Sequence, residues 1–282
     1  MLRISADGCV PAGEGKGWAK GRSAKVDPRI ARAGAAHRGM RYVPRRPFDD
    51  RRRRSGTVDT NWSPTLAYAV GLIATDGCIV RGRTVSFPSA DRELVEILLA
   101  CLQKRNQVSV IRTRAGGVAY RTQIGDVAFC RWLMSIGIAP RKSLTIGSID
   151  APDHLLVPLV RGLLDGDGSI INKVARADTK GRKDYRWEYL RTTFVSASRG
   201  HIAWLRDRVH EVLRVDGYIA LARGRGGHHD QYTRRFGKRG SLVLLPLLYA
   251  DPRAPRLARK WHVWADYAKR HGLEPSGQCG LE

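Results

Sequence analysis

Two aspartates, Asp76 and Asp167, end two copies of one pattern, LAYAVGLIATDG over 66–77 and PLVRGLLDGDG over 158–168. Each copy is an apolar stretch of helical length that runs into an acid followed by glycine. A single Asp-Gly step is an ordinary turn signal. Two of them at matching places in a duplicated apolar helix put two carboxylates at equivalent ends of similar elements, around a pseudo-two-fold axis. Small residues recur four apart, at Ala67, Gly71 and Thr75 in the first copy and at Gly162 and Gly166 in the second. Such spacing lets helix backbones approach closely, and packing through Gly71 and Gly162 brings the two acids together. Adjacent like charges are costly unless a cation lies between them. Oxygen donors suit Mg²⁺, and a metal held by carboxylates promotes phosphodiester hydrolysis by stabilising the attacking water and the leaving oxygen.

Charge points to the same kind of substrate. Lys and Arg number 50 against 26 Asp and Glu, a formal net charge of +24 over 282 residues, so a polyanion is the natural partner. With 43% hydrophobic residues and seven tryptophans the chain has ample material for a core. The five cysteines (Cys9, Cys78, Cys101, Cys130, Cys279) include no C-x-x-C pair, which argues against zinc ribbons and fingers. Cys78, Cys101 and Cys130 read as small buried apolar residues. No run approaches the roughly 18 apolar residues of a membrane span, and the start of the chain lacks a signal-peptide apolar region. The expected location is cytoplasmic, nucleoid-associated if the source is bacterial, with no membrane partner.

The chain divides by composition into a basic arm over 1–60, a first repeat over 61–150, a second over 151–275 and a tail over 276–282. The arm is rich in Gly, Ala and Arg, with Arg51 to Arg54 in one run, and admits only a short helix over 28–38. It is either a solvated basic segment or an accessory phosphate-tracking arm. Its Gly-Lys stretch over 13–23 fails as a phosphate-binding loop, because Lys16 is followed by Gly17 rather than Ser or Thr.

From Trp62 onward the elements repeat. Ser63 and Pro64 open a helix that is apolar all round and therefore buried. A hairpin (78–87), a helix (91–103), a strand pair (108–124) and a helix (126–136) follow, then the segment APRKSLTI from Ala139. The second copy opens at Asp153, with Pro158 either kinking the helix or marking its start. Strands at 169–173 and 190–196, a helix (201–213), strands within 218–236 and a helix (241–249) come next, then LARKWHVWADYA from Leu257. Local echoes align the copies: FPSADR from Phe87 with FVSASR from Phe194, and Arg141-Lys142 with Arg259-Lys260. The expected class is α+β, two αββαββα repeats. A charged loop over 174–186, with Arg176, Lys180, Arg182, Lys183 and Arg186, is either solvated or a DNA contact. The helical tryptophans Trp132, Trp204, Trp261 and Trp264 are expected in the core, and His228-His229 lack further ligands at metal-site spacing.

The paired helices resemble the two motifs of the single-chain LAGLIDADG homing endonucleases, and the repeat pattern is similar to that family over 62–269. This resemblance implies a saddle of two antiparallel sheets straddling duplex DNA, with Asp76 and Asp167 binding divalent metal near the scissile phosphates. It also implies a backbone carbonyl contribution from Thr75 and Gly166, and a basic residue at each site's edge, mapped to Lys142 and Lys260. The earlier acid of the motif is present as Asp165 but is Ala74 in the first copy, so a capping or turn role is expected for Asp165. Strand positions expected to face DNA are Arg112, Arg114, Arg121, Gln123, Arg191, Thr193, Arg223, Arg225, Gln231, Thr233 and Arg235; Arg reads guanine and Gln adenine in the major groove. The implied activity is Mg²⁺-dependent cleavage of both strands by a monomer at a long asymmetric site. A non-cleaving DNA-binding regulator or an intron RNA maturase on the same fold is the alternative. Retention of both acids favours the enzyme, since a pure binder gains nothing from two adjacent buried carboxylates.

Overall fold

The computed structural model describes residues 56–113, 116–176, 186–224 and 229–273. The expectations on the arm before residue 56, on Arg114, Lys180, Arg182, Lys183, Arg225 and His228, and on the tail lie outside the described residues. The described residues from Thr57 on belong to one compact unit.

Helix α1 spans Pro64–Thr75. Ser63 caps it, its hydroxyl accepting from the Leu66 N–H at 3.2 Å, and Pro64 occupies a position whose N–H has no helical acceptor anyway. Every residue from Leu66 to Ala74 is buried, as an all-round apolar sequence requires. The first repeat continues with β1 (Cys78–Val80), β2 (Thr84–Ser89), α2 (Arg92–Cys101), β3 (Ser109–Arg112), β4 (Val118–Gly125) and α3 (Val127–Ser135). A 3-10 turn, Lys142–Leu144, follows Arg141, whose φ of 57° lies in the left-handed region.

The second repeat opens with a 3-10 turn, Asp153–Leu155, that leads into α4, Leu156–Asp167. Pro158 is the third residue of α4, inside the first turn, where its missing N–H breaks no bond. Then come β5 (Ser169–Arg176), β6 (Arg186–Ser196), α5 (Arg199–Leu213), β7 (Tyr218–Ala222), β8 (Gln231–Phe236) and α6 (Lys238–Leu248). Each copy is thus αββαββα, and the second adds α7, Ala258–Arg270. The Arg-Lys echo consequently falls on a 3-10 turn in one copy and a full helix in the other.

Each repeat forms its own four-stranded antiparallel sheet, ordered β1-β2-β4-β3 and β5-β6-β8-β7. Helices α1 and α4 pack on each other and carry one continuous core that includes Val85, Phe87, Phe194, Phe236 and the fully buried Trp264. Trp132, Trp204 and Trp261 are partly buried against it. Cys130 is buried, and Cys78 and Cys101 are half-buried.

The β5–β6 hairpin is longer than the sequence pattern suggests. Pairing runs from Ser169↔Thr193 to Arg176↔Arg186, eight residue pairs, whereas β1–β2 has three. The expected strands stopped at 173 and restarted at 190 because charged residues interrupt the apolar pattern there. Backbone pairing does not require apolar side chains, and the far end of this hairpin is clasped from one side. Glu188 on β6 bonds Arg270 Nη2 (2.9 Å) and His271 Nε2 (2.6 Å) at the end of α7, and accepts from Asn172 Nδ2 at 2.7 Å. Against the desolvation that raises it, the bonds from Asn172, His271 and Arg270 pull the Glu188 carboxyl down to about 2. A carboxyl depressed in the folded state stabilises above its unfolded pKa and loses that contribution as pH falls through the folded value. Glu188→Gln should therefore lower the thermal midpoint at pH 7, and the gap from wild type should close between about pH 4.5 and pH 2. A gap unchanged by acid would show that the clasp is not ionic.

Candidate functional site

The helix contact is built on missing side chains. A methyl group added to Gly71 would collide with the Leu159 carbonyl and lie 2.9 Å from Gly162 Cα; one added to Gly162 would collide with the Tyr68 carbonyl and lie 3.1 Å from Gly71 Cα. Tyr68 and Leu159 are themselves equivalent positions, so the contact is pseudo-symmetric. One turn further on, a methyl at Gly166 would run into the Thr75 side chain. Backbones this close carry both helices to their C-terminal ends side by side, with Asp76 as the residue that caps α1 and Asp167 as the last residue of α4.

The two acids sense each other. Burial and then the Asp167 charge push the Asp76 carboxyl up to about 7, against the pull of Lys142 and Lys260. Burial also raises Asp167, again opposed by the two lysines. Asp76 is half-buried and Asp167 reaches solvent.

Lys142 and Lys260, 6% and 5% exposed, lie at the helix ends. Lys142 Nζ donates to Thr75 O (3.0 Å) and Gly77 O (2.6 Å). Lys260 Nζ donates to Leu164 O (2.6 Å), Asp165 O (2.8 Å) and Gly166 O (3.0 Å). Each ammonium thus bonds carbonyls at a helix end, Thr75 O in one copy and Asp165 O and Gly166 O in the other being ones that the helix leaves without a partner, and places positive charge at the negative end of the helix dipole. Desolvation lowers both lysines, Lys260 to about 8, while the neighbouring aspartates hold them up. The carbonyls of Thr75 and Gly166 are therefore engaged by lysine.

The segment that carries each lysine is bonded from the opposite repeat. In the second copy, Asp91 at the start of α2 grips Arg259 through both carboxylate oxygens (Arg259 Nη2 to Oδ2 2.7 Å, Nε to Oδ1 3.1 Å), and Glu93 accepts from the Ala258 N–H at 3.2 Å. Reciprocally, Ser198 at the start of α5 donates to Ile146 O (2.5 Å), and His201 Nδ1 lies 2.8 Å from Gly147 O. Asp91 and Ser198 are equivalent in the FPSADR and FVSASR echo. The echo marked that alignment, but nothing in it marked a cross-repeat clasp.

Asp165 is fully buried. Its Oδ2 accepts from Tyr68 Oη at 2.7 Å and from the Leu257 N–H at 2.8 Å, and Leu257 is the residue that caps α7. Desolvation raises this carboxyl to about 6 against the pull of those two bonds and of Lys260 and Arg161. Arg161, also buried, donates to Leu248 O at 2.6 Å and lies over the Tyr68 ring at 5.6 Å. In place of the capping or turn role expected of it, Asp165 ties the first helix to the segment that leads into α7; neither partner was visible in the sequence.

Strand register sorts the positions expected to face DNA. In the first sheet Ile79, Val85, Phe87, Thr122 and Ile124 share the helix-backed face, which puts Arg121 and Gln123 on the opposite one. Arg112 pairs with Val118, which alternates in phase with Tyr120 and Thr122, so Arg112 lies on their side of the sheet and does not join Arg121 and Gln123. In the second sheet Ile170, Thr192, Phe194 and Phe236 face the core, and Arg191, Thr193, Gln231, Thr233 and Arg235 share the other face. Thr193 and Thr233 are each 7% exposed, covered by their neighbours. Arg223 lies just past β7, ion-paired with Asp230 at 3.1 Å.

No protein-family model matches this sequence, and no curated protein matches it. Among solved structures, the chain is similar to the homing endonuclease I-WcaI bound to its DNA recognition sequence, with 11% identity over 79% of this chain and 94% of that one and a TM-score of 0.49. It is similar to mesophilic variants of the homing endonuclease I-DmoI at 13% identity, 74% and 97% coverage and a TM-score of 0.46. The N-terminal LAGLIDADG domain of DUF199/WhiA matches at 14% identity, 79% and 100% coverage and a TM-score of 0.43. No helix among the described residues is long and apolar enough to cross a membrane.

Proposed function

We propose that this chain is a site-specific, Mg²⁺-dependent DNA endonuclease of the LAGLIDADG homing type, a monomer that cuts both strands of a long asymmetric duplex site. The observation that carries this reading is the pair of raised carboxylates, Asp76 and Asp167, at equivalent ends of two helices in backbone contact, each beside a buried lysine, in a chain of net charge +24.

The donors fit a hard divalent cation. Two carboxylates raised by burial, Asp76 also by the Asp167 charge, relax when a cation takes up their charge. Among the described residues no third His, Cys, Asp or Glu converges with them, so the remaining ligands would be water, phosphate oxygen or backbone, the coordination Mg²⁺ favours. When bound, such an ion would polarise the phosphoryl group and supply a water nucleophile. The chain's own residues do the rest. Asp76 and Asp167 hold the cation, and the glycine contact fixes their spacing. Lys142 and Lys260 keep the carbonyls at the helix ends in place and offset the charge accumulating there. Arg121, Gln123, Arg191 and Arg235 stand on sheet faces free to meet base edges.

Incubating the protein with a randomised duplex library in Mg²⁺ and sequencing the cut ends tests the proposal. Breaks on both strands at one recurring non-palindromic sequence are expected. A library left intact in both Mg²⁺ and Mn²⁺, by a protein that still binds duplex, would make the chain a binder instead.

A further inference from the structure

Asp91 opens α2, where an aspartate ordinarily accepts from the first free N–H groups of its own helix. It makes no such bond. Both carboxylate oxygens turn instead to Arg259 in the other repeat, Oδ2 to Nη2 at 2.7 Å and Oδ1 to Nε at 3.1 Å, a two-point grip that fixes a guanidinium in place. Glu93, two residues on, accepts from the Ala258 N–H at 3.2 Å. That N–H belongs to the first turn of α7 and has no acceptor within its own helix. Lys260 follows directly.

Ser198, the equivalent residue, opens α5 and reaches across in the other direction. Its hydroxyl donates to Ile146 O at 2.5 Å, and His201 Nδ1 lies 2.8 Å from Gly147 O. Both carbonyls lie just past the turn that carries Lys142, and the Ile146 N–H donates to Lys142 O at 2.7 Å. The backbone on which each lysine stands is therefore held by a helix start of the repeat to which that lysine does not belong. A lysine stem is long and has many rotamers, so where its ammonium rests depends on where its backbone is held.

We infer that Asp91 and Ser198 are positioning residues, each holding in place the site lysine of the opposite repeat, so that loss of one clasp impairs the cut on one strand and spares the other. The inference rests on the proposed function, with each helix end and its lysine serving one strand. A group displaced by about 1 Å can cost about 100-fold in rate. Asp91→Asn removes the charge that grips Arg259 at nearly constant shape, and Ser198→Ala removes the hydroxyl that donates to Ile146 O. Neither substitution touches Asp76, Asp167 or the lysines themselves.

Two measurements test this. Acylation of the metal-free protein with an amine-reactive ester, read by peptide mass spectrometry, reports how accessible each lysine is without any cutting. A duplex carrying the selected site, labelled differently on its two strands and incubated in Mg²⁺, reports each cut. Asp91→Asn should raise acylation of Lys260 but not of Lys142 and slow one strand by about 10- to 100-fold. Ser198→Ala should do the converse, at Lys142 and on the other strand. Partial unfolding would expose both lysines and slow both strands alike, so it cannot imitate this pattern. Glu96→Gln, which breaks a solvent-facing pair with Arg92 on the same helix (2.7 Å), should alter neither readout. Acylation raised at both lysines or at neither, or two strands slowed equally, overturns the inference while leaving the endonuclease reading intact. A wild type that cuts no duplex overturns both.

Discussion

Replacing Asp76 or Asp167 by asparagine is expected to abolish double-strand cleavage, a loss of about 1000-fold or more, since several kcal/mol of metal-assisted stabilisation is at stake and each 1.4 kcal/mol is tenfold in rate. Duplex binding should change little, because both carboxylates lie at helix ends rather than on the sheet faces. Stability offers a second readout. Asp76 is raised to about 7 in the fold, so its ionised form opposes folding, and the penalty grows as pH rises from the unfolded value near 4 to the folded one. Asp76→Asn removes that penalty and should leave the midpoint of the metal-free protein at pH 8 unchanged or raised. Added Mg²⁺ should stabilise wild type more than the variant. Full cutting by the double variant would end the catalytic assignment.

The second large effect concerns the fold. At Gly71 and Gly162 a single Cβ already meets backbone, Leu159 O and Tyr68 O respectively, and backbone cannot rotate away as a side chain can. Gly71→Leu and Gly162→Leu should each cost about 3 kcal/mol or more, the upper part of the range for overpacking. Alanine at either position should be harmful too, in smaller measure. Denaturant unfolding reads the effect. Near-wild-type stability in both leucine variants would mean that the helices do not meet through these residues.

What the sequence made legible was local or repeated. Ser63, Pro64 and the apolar run identify α1 without any distant contact, and duplication of the acid-glycine ending pairs Asp76 with Asp167. Gly71 and Gly162 stand out because a small residue in a buried helix needs a neighbour to explain it. The bonds that position the site are long-range: Tyr68 to Asp165 spans 97 residues and Asp91 to Arg259 spans 168. No periodicity encodes which distant partner a side chain finds. Lys142 and Lys260 could be named from their echo, but their deep burial against helix carbonyls depends on a left-handed Arg141 in one copy and a whole extra helix in the other. The side of the sheet taken by Arg112 depended on register, which hairpin geometry sets and composition does not. The reach of β5–β6 was hidden because Glu188, a charged residue in a strand, reads as loop until its partners on α7 are known.

The bond between Tyr68 and Asp165 also decides which halves can meet. Two copies of the second repeat, paired through the same glycines, would set Leu159 where Tyr68 stands, leaving each buried Asp165 without its phenol. Two copies of the first would set Ala74 opposite Tyr68 and strand its hydroxyl. An unpartnered buried group costs about 1–3 kcal/mol, more if charged, and each self-pairing incurs that cost twice. The interface therefore works as a mating code: halves expressed as separate chains would assemble as unlike pairs, and the two repeats are not interchangeable.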